Sequence, residues 1–243
     1  MIAARAAGVP VPEVLAWSDA DEELGPYLVM EEVGGETLAR RIQRDEAYAQ
    51  ARQRFASDCG AALAAVHGID PAEVDGLEVG GDPLQGVRDR LDALAAPNAT
   101  IEWALCHLEE NRPPIRSDTL VHGDFRLGNL IVGPDGVQAV LDWEGVHLGD
   151  PLEDLGWLCT RTWRFGAPRP VGGLGTREEL CAAYGHGVTP GDLWWWEVLG
   201  SVRWGVICLE QASRHFHGYR SVELAAIGRR VAEVEWDLLA MLP

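Results

Sequence analysis

Three side chains with oxygen donors stand close together in the middle of the chain. Asp124 and Asn129 lie five residues apart in the stretch 120–131, and Asp142 follows after a short further segment. Mg²⁺ prefers oxygen ligands of this kind, takes one or two of them from the protein and completes its shell with substrate phosphates. A carboxylate that does not bind metal would accept the proton of an attacking hydroxyl. We therefore assign metal ligation to Asn129 and Asp142, and the role of general base to Asp124.

A β-hairpin is predicted to bring these side chains together. The apolar run 130–132 leaves the loop, residues 133–136 read Gly-Pro-Asp-Gly, and residues 137–141 have the composition of a returning strand. Gly and Pro at these places are typical of a tight turn between two strands. Such a hairpin places Asp142 beside Asn129, as a shared metal site requires.

The same residues resemble a known family. The pattern His-Gly-Asp-x-x-x-x-Asn from His122 to Asn129, with an Asp at the following strand end, is similar to the aminoglycoside phosphotransferase group of kinase-like enzymes. The similarity extends through Gly-Asp-Pro-Leu-Glu-Asp-Leu at 149–155. The run 120–158 most resembles the broad phosphotransferase branch that includes domains found beside acyl-CoA dehydrogenases.

This resemblance implies a fold and a division of the chain. The fold would be α+β and protein-kinase-like, with a mostly helical large lobe that carries the catalytic hairpin. Residues 1–33 would be a remnant of the small lobe with the hinge strand. Residues 34–243 would be the large lobe, with the catalytic loop and hairpin at 120–142.

The resemblance also implies the reaction and its nucleotide site. The enzyme would use ATP and Mg²⁺ to move the γ-phosphate to a hydroxyl of a small molecule, such as an aminoglycoside-like, sugar-like or hydroxyacyl compound. Glu32 and Val33 of the hinge, together with Ile131 and Leu141 of the hairpin, would bind the nucleotide. Arg126 would act as a second catalytic residue, because protein kinases commonly carry a lysine there that is directed at the γ-phosphate.

Other polar residues around the motif have open or supporting roles. An equally open alternative for Arg126 is a surface ion pair with Glu144 or Asp150. His122 is interpreted as structural rather than as a base. Asp150, before a proline, suits the N-cap of the next helix, and the resemblance implies that Asp154 bonds the backbone of the catalytic loop.

Two features that kinase-like enzymes carry in the small lobe are missing. All 20 basic residues are arginines, so the chain has no phosphate-binding lysine. No Gly-rich loop precedes Gly8. We expect that the chain is an incomplete piece of a longer reading frame, with Met1 an internal or mis-assigned start. The alternative is a genuine short form that binds nucleotide poorly or is inactive.

Two other classes of function compete with a phosphotransferase. A pseudokinase-like module would bind a ligand in the same cleft without transfer; the missing lobe favours it, and the intact set of Asp124, Asn129 and Asp142 opposes it. A metal-dependent phosphoesterase would need an upstream Asp-x-His and later histidine ligands in strand context, and the sequence offers none.

Composition limits the partners and the compartment. A net charge of −18 argues against nucleic acid and anionic membrane surfaces. The charge would favour a cationic substrate, but the acids are spread along the chain, so a solvated acidic surface is the simpler explanation. Five scattered cysteines without a C-x-x-C pair fit a cytoplasmic protein. No apolar run reaches the roughly 18 residues of a membrane span.

Hydrophobic spacing predicts the elements that carry these residues. Strands are predicted at 14–17 and 27–30. Helices are predicted at 46–67, 84–94, 101–108 and 151–160, one after the capping box at Thr176, a long one that opens at Thr189 with Pro190, and a last one from Ser221 through Leu238.

Three consecutive tryptophans interrupt this otherwise ordinary pattern. Trp194, Trp195 and Trp196 point about 100° apart on a helix and cannot share one face. One of them is expected in the core. The others would either line a substrate cleft with Trp157 and Trp163 or cover the helix bundle.

Overall fold

The computed structural model describes residues 1–116 and 118–243 and has an α+β architecture. The helices are α1 (Ile2–Ala6), α2 (Ala39–Arg44), α3 (Ala49–His67), α4 (Pro83–Ala93), α5 (Ala99–Glu110), α6 (Leu152–Cys159), α7 (Arg177–Tyr184), α8 (Trp194–Phe216), α9 (Val222–Gly228) and α10 (Val231–Met241). The strands are β1 (Val14–Ser18), β2 (Tyr27–Met30), β3 (Glu78–Val79), β4 (Thr119–Val121), β5 (Leu130–Gly133), β6 (Gly136–Val140) and β7 (His147–Gly149).

Small sheets carry the loops in which the polar residues lie. Strands β5 and β6 form the predicted antiparallel hairpin, with Leu130 opposite Val140 and Gly133 opposite Gly136 at the turn. Strand β4 pairs antiparallel with β7, which also pairs parallel with β3. The predicted hairpin of β1 and β2 is present, and most of its side chains are exposed on both faces.

The helices pack around a core centred on α3 and α8. Helix α3 lies close against α7 because Gly60 has no side chain; a methyl group there would sit 2.6 Å from the Leu180 carbonyl oxygen. Phe55 and Leu63 of α3 are fully buried. Helix α8 packs against α5, α6, α9 and α10, so it joins the C-terminal helices to those that follow the hairpin.

The helix boundaries differ from the sequence prediction at several places. Residues 46–48 form a 3-10 turn before α3, and Pro190–Leu193 form another after the predicted cap at Thr189, so α8 begins only at Trp194. The predicted last helix is two helices that break after Gly228. A methyl group at Gly228 would lie 2.7 Å from Ala212 of α8, so this glycine allows close packing, and glycine is also a weak helix former. The short elements α2, β3 and β7 were not predicted.

Among the described residues, no helix is long and apolar enough to cross a membrane. The division of the chain at residue 33 stays a prediction. The chain after β2 nevertheless runs directly onto the hairpin, because the backbones of Glu36 and Val132 exchange hydrogen bonds of 2.9 and 3.0 Å.

Candidate active site

The carboxylate of Asp124 is surrounded by three donors. The indole Nε1 of Trp157 donates to Oδ1 at 2.7 Å, and the amide Nδ2 of Asn129 donates to Oδ2 at 2.7 Å. The Nε of Arg126 lies 3.1 Å from both oxygens. The side chain retains 28% of its exposure, so it is fixed in orientation but open to a reactant. A carboxylate held in this way is suited to orient and deprotonate a hydroxyl.

The loop that carries Asp124 is held by a fully buried carboxylate on α6. Asp154 accepts hydrogen bonds from the backbone nitrogens of His122 and Gly123, at 2.7 and 2.9 Å, and lies 3.1 Å from Nε2 of His67. Burial by itself raises the pKa of Asp154, but the hydrogen bond and charge interaction with His67 and the contact with His122 outweigh it and hold the pKa below the usual value. The backbone contact expected of Asp154 is therefore present.

His122 serves the loop rather than the reaction. It is fully buried, and its Nε2 donates to the carbonyl oxygen of Leu141 at 3.0 Å. Its Nδ1 accepts from the backbone nitrogen of Asp124 at 3.2 Å. Burial lowers the pKa of His122, so the ring is neutral, and backbone groups occupy both of its nitrogens. It links the catalytic loop to the end of the hairpin, in line with the structural interpretation.

The hairpin brings Asn129 and Asp142 together. The amide Nδ2 of Asn129 lies 3.4 Å from Oδ2 of Asp142, and the backbone nitrogen of Leu141 donates to the Asn129 carbonyl oxygen at 2.8 Å. Asp142 adopts a left-handed backbone with φ of 64°, a conformation that costs energy for a residue with a side chain and that clusters at functional sites. The end of the hairpin thus turns the carboxylate toward the loop.

These two residues fit a divalent cation that is shared with a substrate. The Asn129 nitrogen faces both carboxylates, so the amide would turn to present its oxygen to a metal held with Asp142. Within the described part of the chain, no group of three His, Cys, Asp or Glu residues could hold a metal by itself. An amide and a carboxylate oxygen with the remaining positions left to phosphate or water match the way proteins hold Mg²⁺.

Arg126 has a partner that the sequence did not suggest. Its guanidinium carbon lies 4.6 Å from the centre of the Trp163 ring, and its Nε contacts Asp124. The alternative pairing with Glu144 or Asp150 is wrong, since Asp150 instead accepts from the backbone nitrogens of Arg116 and Leu152, at 2.8 and 2.9 Å. The N-cap position of α6 is Pro151 rather than the expected Asp150, which lies one residue earlier and accepts from the first helical nitrogen, that of Leu152.

The residues predicted to bind nucleotide lie at the junction of β2 and the hairpin. Gly35 packs so closely on β5 that a methyl group there would lie 2.5 Å from Cγ2 of Ile131. Glu32, which is exposed, and Val33, which is half-buried, directly precede this contact. Leu141 is half-buried between Asn129 and His122, through the backbone bonds described above. Ile131 and Leu141 adjoin the loop, and Glu32 and Val33 precede the segment that contacts the hairpin; the role of all four stays a prediction.

Two contacts to the Asp124 loop were not predicted, although Trp157 was named as a possible lining residue of a substrate cleft. Trp157 is three residues after Asp154 on α6, so the two share a helix face, and this spacing was a signal that could have identified it. Arg203 of α8 donates to the Gly123 carbonyl oxygen at 3.0 Å and to Glu153 at 2.8 Å, and its guanidinium lies 4.8 Å from the Trp157 ring centre. The contact of Arg203 with the loop depends on the packing of α8 on α6 and has no signal in the sequence.

A cavity of about 800 Å³ opens beside this site, between α4, α8 and the loop before β4. Trp157, Trp196 and Arg203 are among its lining residues. Trp195 also lines it and is buried, with its indole nitrogen donating to the Leu108 carbonyl oxygen at 2.9 Å. Trp194 is 37% exposed and lies outside the lining. The tryptophan triplet thus contributes both to the core and to a cleft.

Comparison with known proteins matches this chain to a family. The model of the phosphotransferase enzyme family matches residues 1–194. The chain is 32% identical over 167 residues, 63% of its length, to acyl-CoA dehydrogenase family member 10 of Mus musculus. The matched segment spans only 15% of that mouse protein.

Solved structures show the same fold. A structure described as a putative aminoglycoside phosphotransferase from Ralstonia eutropha JMP134 aligns over 97% of this chain and 80% of its own, with a TM-score of 0.72 and 23% identity. The GDP complex of aminoglycoside 2'-phosphotransferase-IIIa aligns over 94% of this chain and 76% of its own, with a TM-score of 0.66 and 13% identity. The expected kinase-like α+β fold is confirmed.

Proposed function

This chain belongs to the phosphotransferase enzyme family, and we propose that it transfers the γ-phosphate of ATP to a hydroxyl group of a small molecule. The observation that carries the proposal is the position of Asp124. Its carboxylate is held by Trp157 and Asn129, remains partly exposed, and stands beside a cavity large enough for an acceptor.

In the proposed reaction, the acceptor hydroxyl oxygen forms a bond to the γ-phosphorus while the bond from that phosphorus to the bridging oxygen breaks, and ADP leaves. Asp124 orients the hydroxyl and takes its proton as the new bond forms. Oδ1 is occupied by the Trp157 indole, so Oδ2 is the oxygen that would receive the proton once Asn129 turns its amide to the metal.

Asn129 and Asp142 would hold Mg²⁺, which would neutralise and align the phosphates of the bound nucleotide. Arg126 would leave Asp124 and direct its donors to the γ-phosphate, because a triphosphate is the stronger partner for a guanidinium. Its stacking on Trp163 leaves the guanidinium edge free to make this change. Glu32, Val33, Ile131 and Leu141 would contact the nucleoside.

The nucleotide assignment is supported by the fold relative solved with GDP, and by the contact between Gly35 and Ile131 that closes the hinge onto the hairpin. A small-molecule hydroxyl compound is the proposed partner and the cytoplasm the proposed compartment. A pseudokinase-like binding module is the second candidate, favoured by the absence of lysine from the chain.

Calorimetry with ATP, with and without Mg²⁺, tests the proposal together with an assay of ADP formation against a panel of hydroxyl compounds. We expect metal-dependent binding that Asp142→Ala weakens, and ADP formation that Asp124→Ala abolishes while nucleotide binding persists. Asp135→Ala, an exposed carboxylate at the turn of the same hairpin, is the matched control and should leave both unchanged. Binding without any ADP formation by the unmodified chain would favour the binding module. Normal turnover by Asp124→Ala would show that the base is assigned wrongly.

A further inference from the structure

The cavity lies beside the loop that carries Asp124 and is separated from its carboxylate by one side chain. Trp157 lines the cavity and also donates to Oδ1 of Asp124. Arg203 lines it and bonds the neighbouring Gly123 carbonyl oxygen. Through these two residues, an acceptor whose hydroxyl group reaches Asp124 would extend into this cavity, which is called the acceptor cavity below.

One wall of the acceptor cavity is apolar and rigid. Trp157, Trp196 and Leu199 are 3–4% exposed and stand on the packed helices α6 and α8. Val87 of α4 continues the same surface and is 5% exposed. Buried aromatic and branched side chains of this kind favour apolar ligand surface, at about 25 cal/mol for each Å² removed from water.

The charged side chains around the cavity are already paired. Arg203 contacts Glu153 at 2.8 Å, and Arg112 contacts Asp82. Arg90, which lines the cavity, donates two hydrogen bonds of 2.6 and 2.8 Å to Glu210 of α8. These carboxylates are thus not free to receive the ammonium groups of a ligand.

Asp150 and His147 also contribute to the balance of charges in the cavity lining. Asp150 accepts from two backbone nitrogens, as described above, and His147 lies 3.3 Å from Glu153, whose hydrogen bond raises the pKa of His147 to about 9. His147 is therefore cationic at neutral pH. The acids of the lining are Asp82, Asp150, Glu153 and the exposed Asp118. Its cations equal them in number and are Arg90, Arg112, Arg203 and His147. The excess of acids that gives the whole chain a net charge of −18 is therefore not found in the cavity lining.

We infer that the acceptor is a hydroxyl compound with an uncharged, apolar body, such as an alkyl chain, and that it is not a polycation. This inference rests on the proposed function, because it describes the acceptor of that same site. A polycation would lose the hydration of several ammonium groups and meet only Asp118 as an unpaired carboxylate among the described lining residues, which is costly. An alkyl body loses only unfavourable hydration against the tryptophan wall.

Calorimetric binding of two sets of probes to the whole chain tests the inference. The first set is vicinal hexanediol, octanediol and decanediol, and the second is kanamycin A at low ionic strength, where charge attraction is strongest. The dissociation constant should fall by about threefold to fourfold for each added methylene, the value for burying one such group. Kanamycin should bind more weakly than decanediol. A series without dependence on chain length, or tighter binding of kanamycin, would overturn the inference.

Variants within the tryptophan triplet assign the binding to the cavity. Trp196→Ala should flatten the dependence on chain length, whereas Trp194→Ala, outside the lining on the same helix, should leave it unchanged. Equal effects of the two would contradict the inference. Ile115→Glu provides a test that does not disturb the core, because Ile115 lines the cavity and is 64% exposed. Its added carboxylate should weaken diol binding and strengthen kanamycin binding.

The outcomes separate this inference from the proposed function. If the diols bind with the expected dependence but no ADP forms with them, the acceptor class stands and phosphoryl transfer fails. If kanamycin is phosphorylated and the diols neither bind nor react, the transfer stands and the acceptor class is wrong.

Discussion

Trp157→Phe is the substitution that tests most directly how the catalytic loop is organised. Phenylalanine keeps the aromatic ring in the cavity wall but removes the indole N–H that donates to Oδ1 of Asp124 at 2.7 Å. A hydrogen bond to a charged group contributes about 1.5–3 kcal/mol. Without this bond the carboxylate can relax away from the orientation that meets the hydroxyl, and that orientation must be regained in the transition state. Since about 1.4 kcal/mol changes a rate tenfold, we expect kcat to decrease roughly tenfold to a hundredfold.

Trp163→Phe is the matched control. The ring of Trp163 lies 5.1 Å from that of Trp157 and is equally buried, at 5% exposure. Its indole nitrogen is buried without a hydrogen-bond partner among the described residues. The two variants therefore make the same replacement of indole by phenyl at neighbouring sites, and only one of them removes a bond to Asp124.

The assay is ADP formation at saturating ATP and acceptor, with the ATP dissociation constant measured by calorimetry for each variant. We expect Trp157→Phe to lower kcat while ATP binding changes little, because the indole contacts the base and not the hinge. Trp163→Phe should retain a higher kcat than Trp157→Phe, because it keeps an aromatic ring against Arg126 and removes no bond to Asp124. If the two variants had the same kcat, the Trp157 hydrogen bond would contribute nothing to the reaction, and the argument from its geometry would be refuted.

Three further predictions concern stability. Asp154→Asn should reduce the free energy of unfolding by about 2–4 kcal/mol, since a buried donor would lose its acceptor. The lowered pKa of Asp154 means that its stabilising contribution is present above the unfolded pKa and is lost as the pH falls through the folded pKa. Denaturation curves of the variant should therefore depend less on pH in the acid range. Because the pKa of His147 is raised to about 9, its stabilising contribution is fully present below about pH 6.5 and is lost as the pH rises through 9. In Glu153→Gln, stability should no longer fall over this alkaline range. Gly60→Ala should lower stability by about 1–3 kcal/mol through overpacking against α7, whereas Gly86→Ala, in open space on α4, should not lower it; equal thermal shifts would contradict the packing argument.

The centre of the site was predictable because it is local in sequence. The turn at residues 133–136 pairs Gly133 with Gly136, and a shift of one residue between Ile131 and Val132 then brings Leu130 opposite Val140 and Asp142 next to Asn129. The sequence indicated the turn but not this shift. The capping box at Thr176 was likewise readable, since both of its hydrogen bonds lie within one turn. Hydrophobic spacing found most helices but not their ends, because the 3-10 turns at 46–48 and 190–193 satisfy the same pattern.

The sequence by itself therefore indicated the oxygen side chains proposed to react and the hairpin that joins them. Only the tertiary structure decided what surrounds them: the Trp157 donor on Asp124, the Arg203 contact to the loop, and the approach of His67 to Asp154. These contacts join residues far apart in the chain and depend on how α3, α6 and α8 pack. The charge balance of the acceptor cavity has the same origin, because composition counts charges and only packing decides which of them are paired.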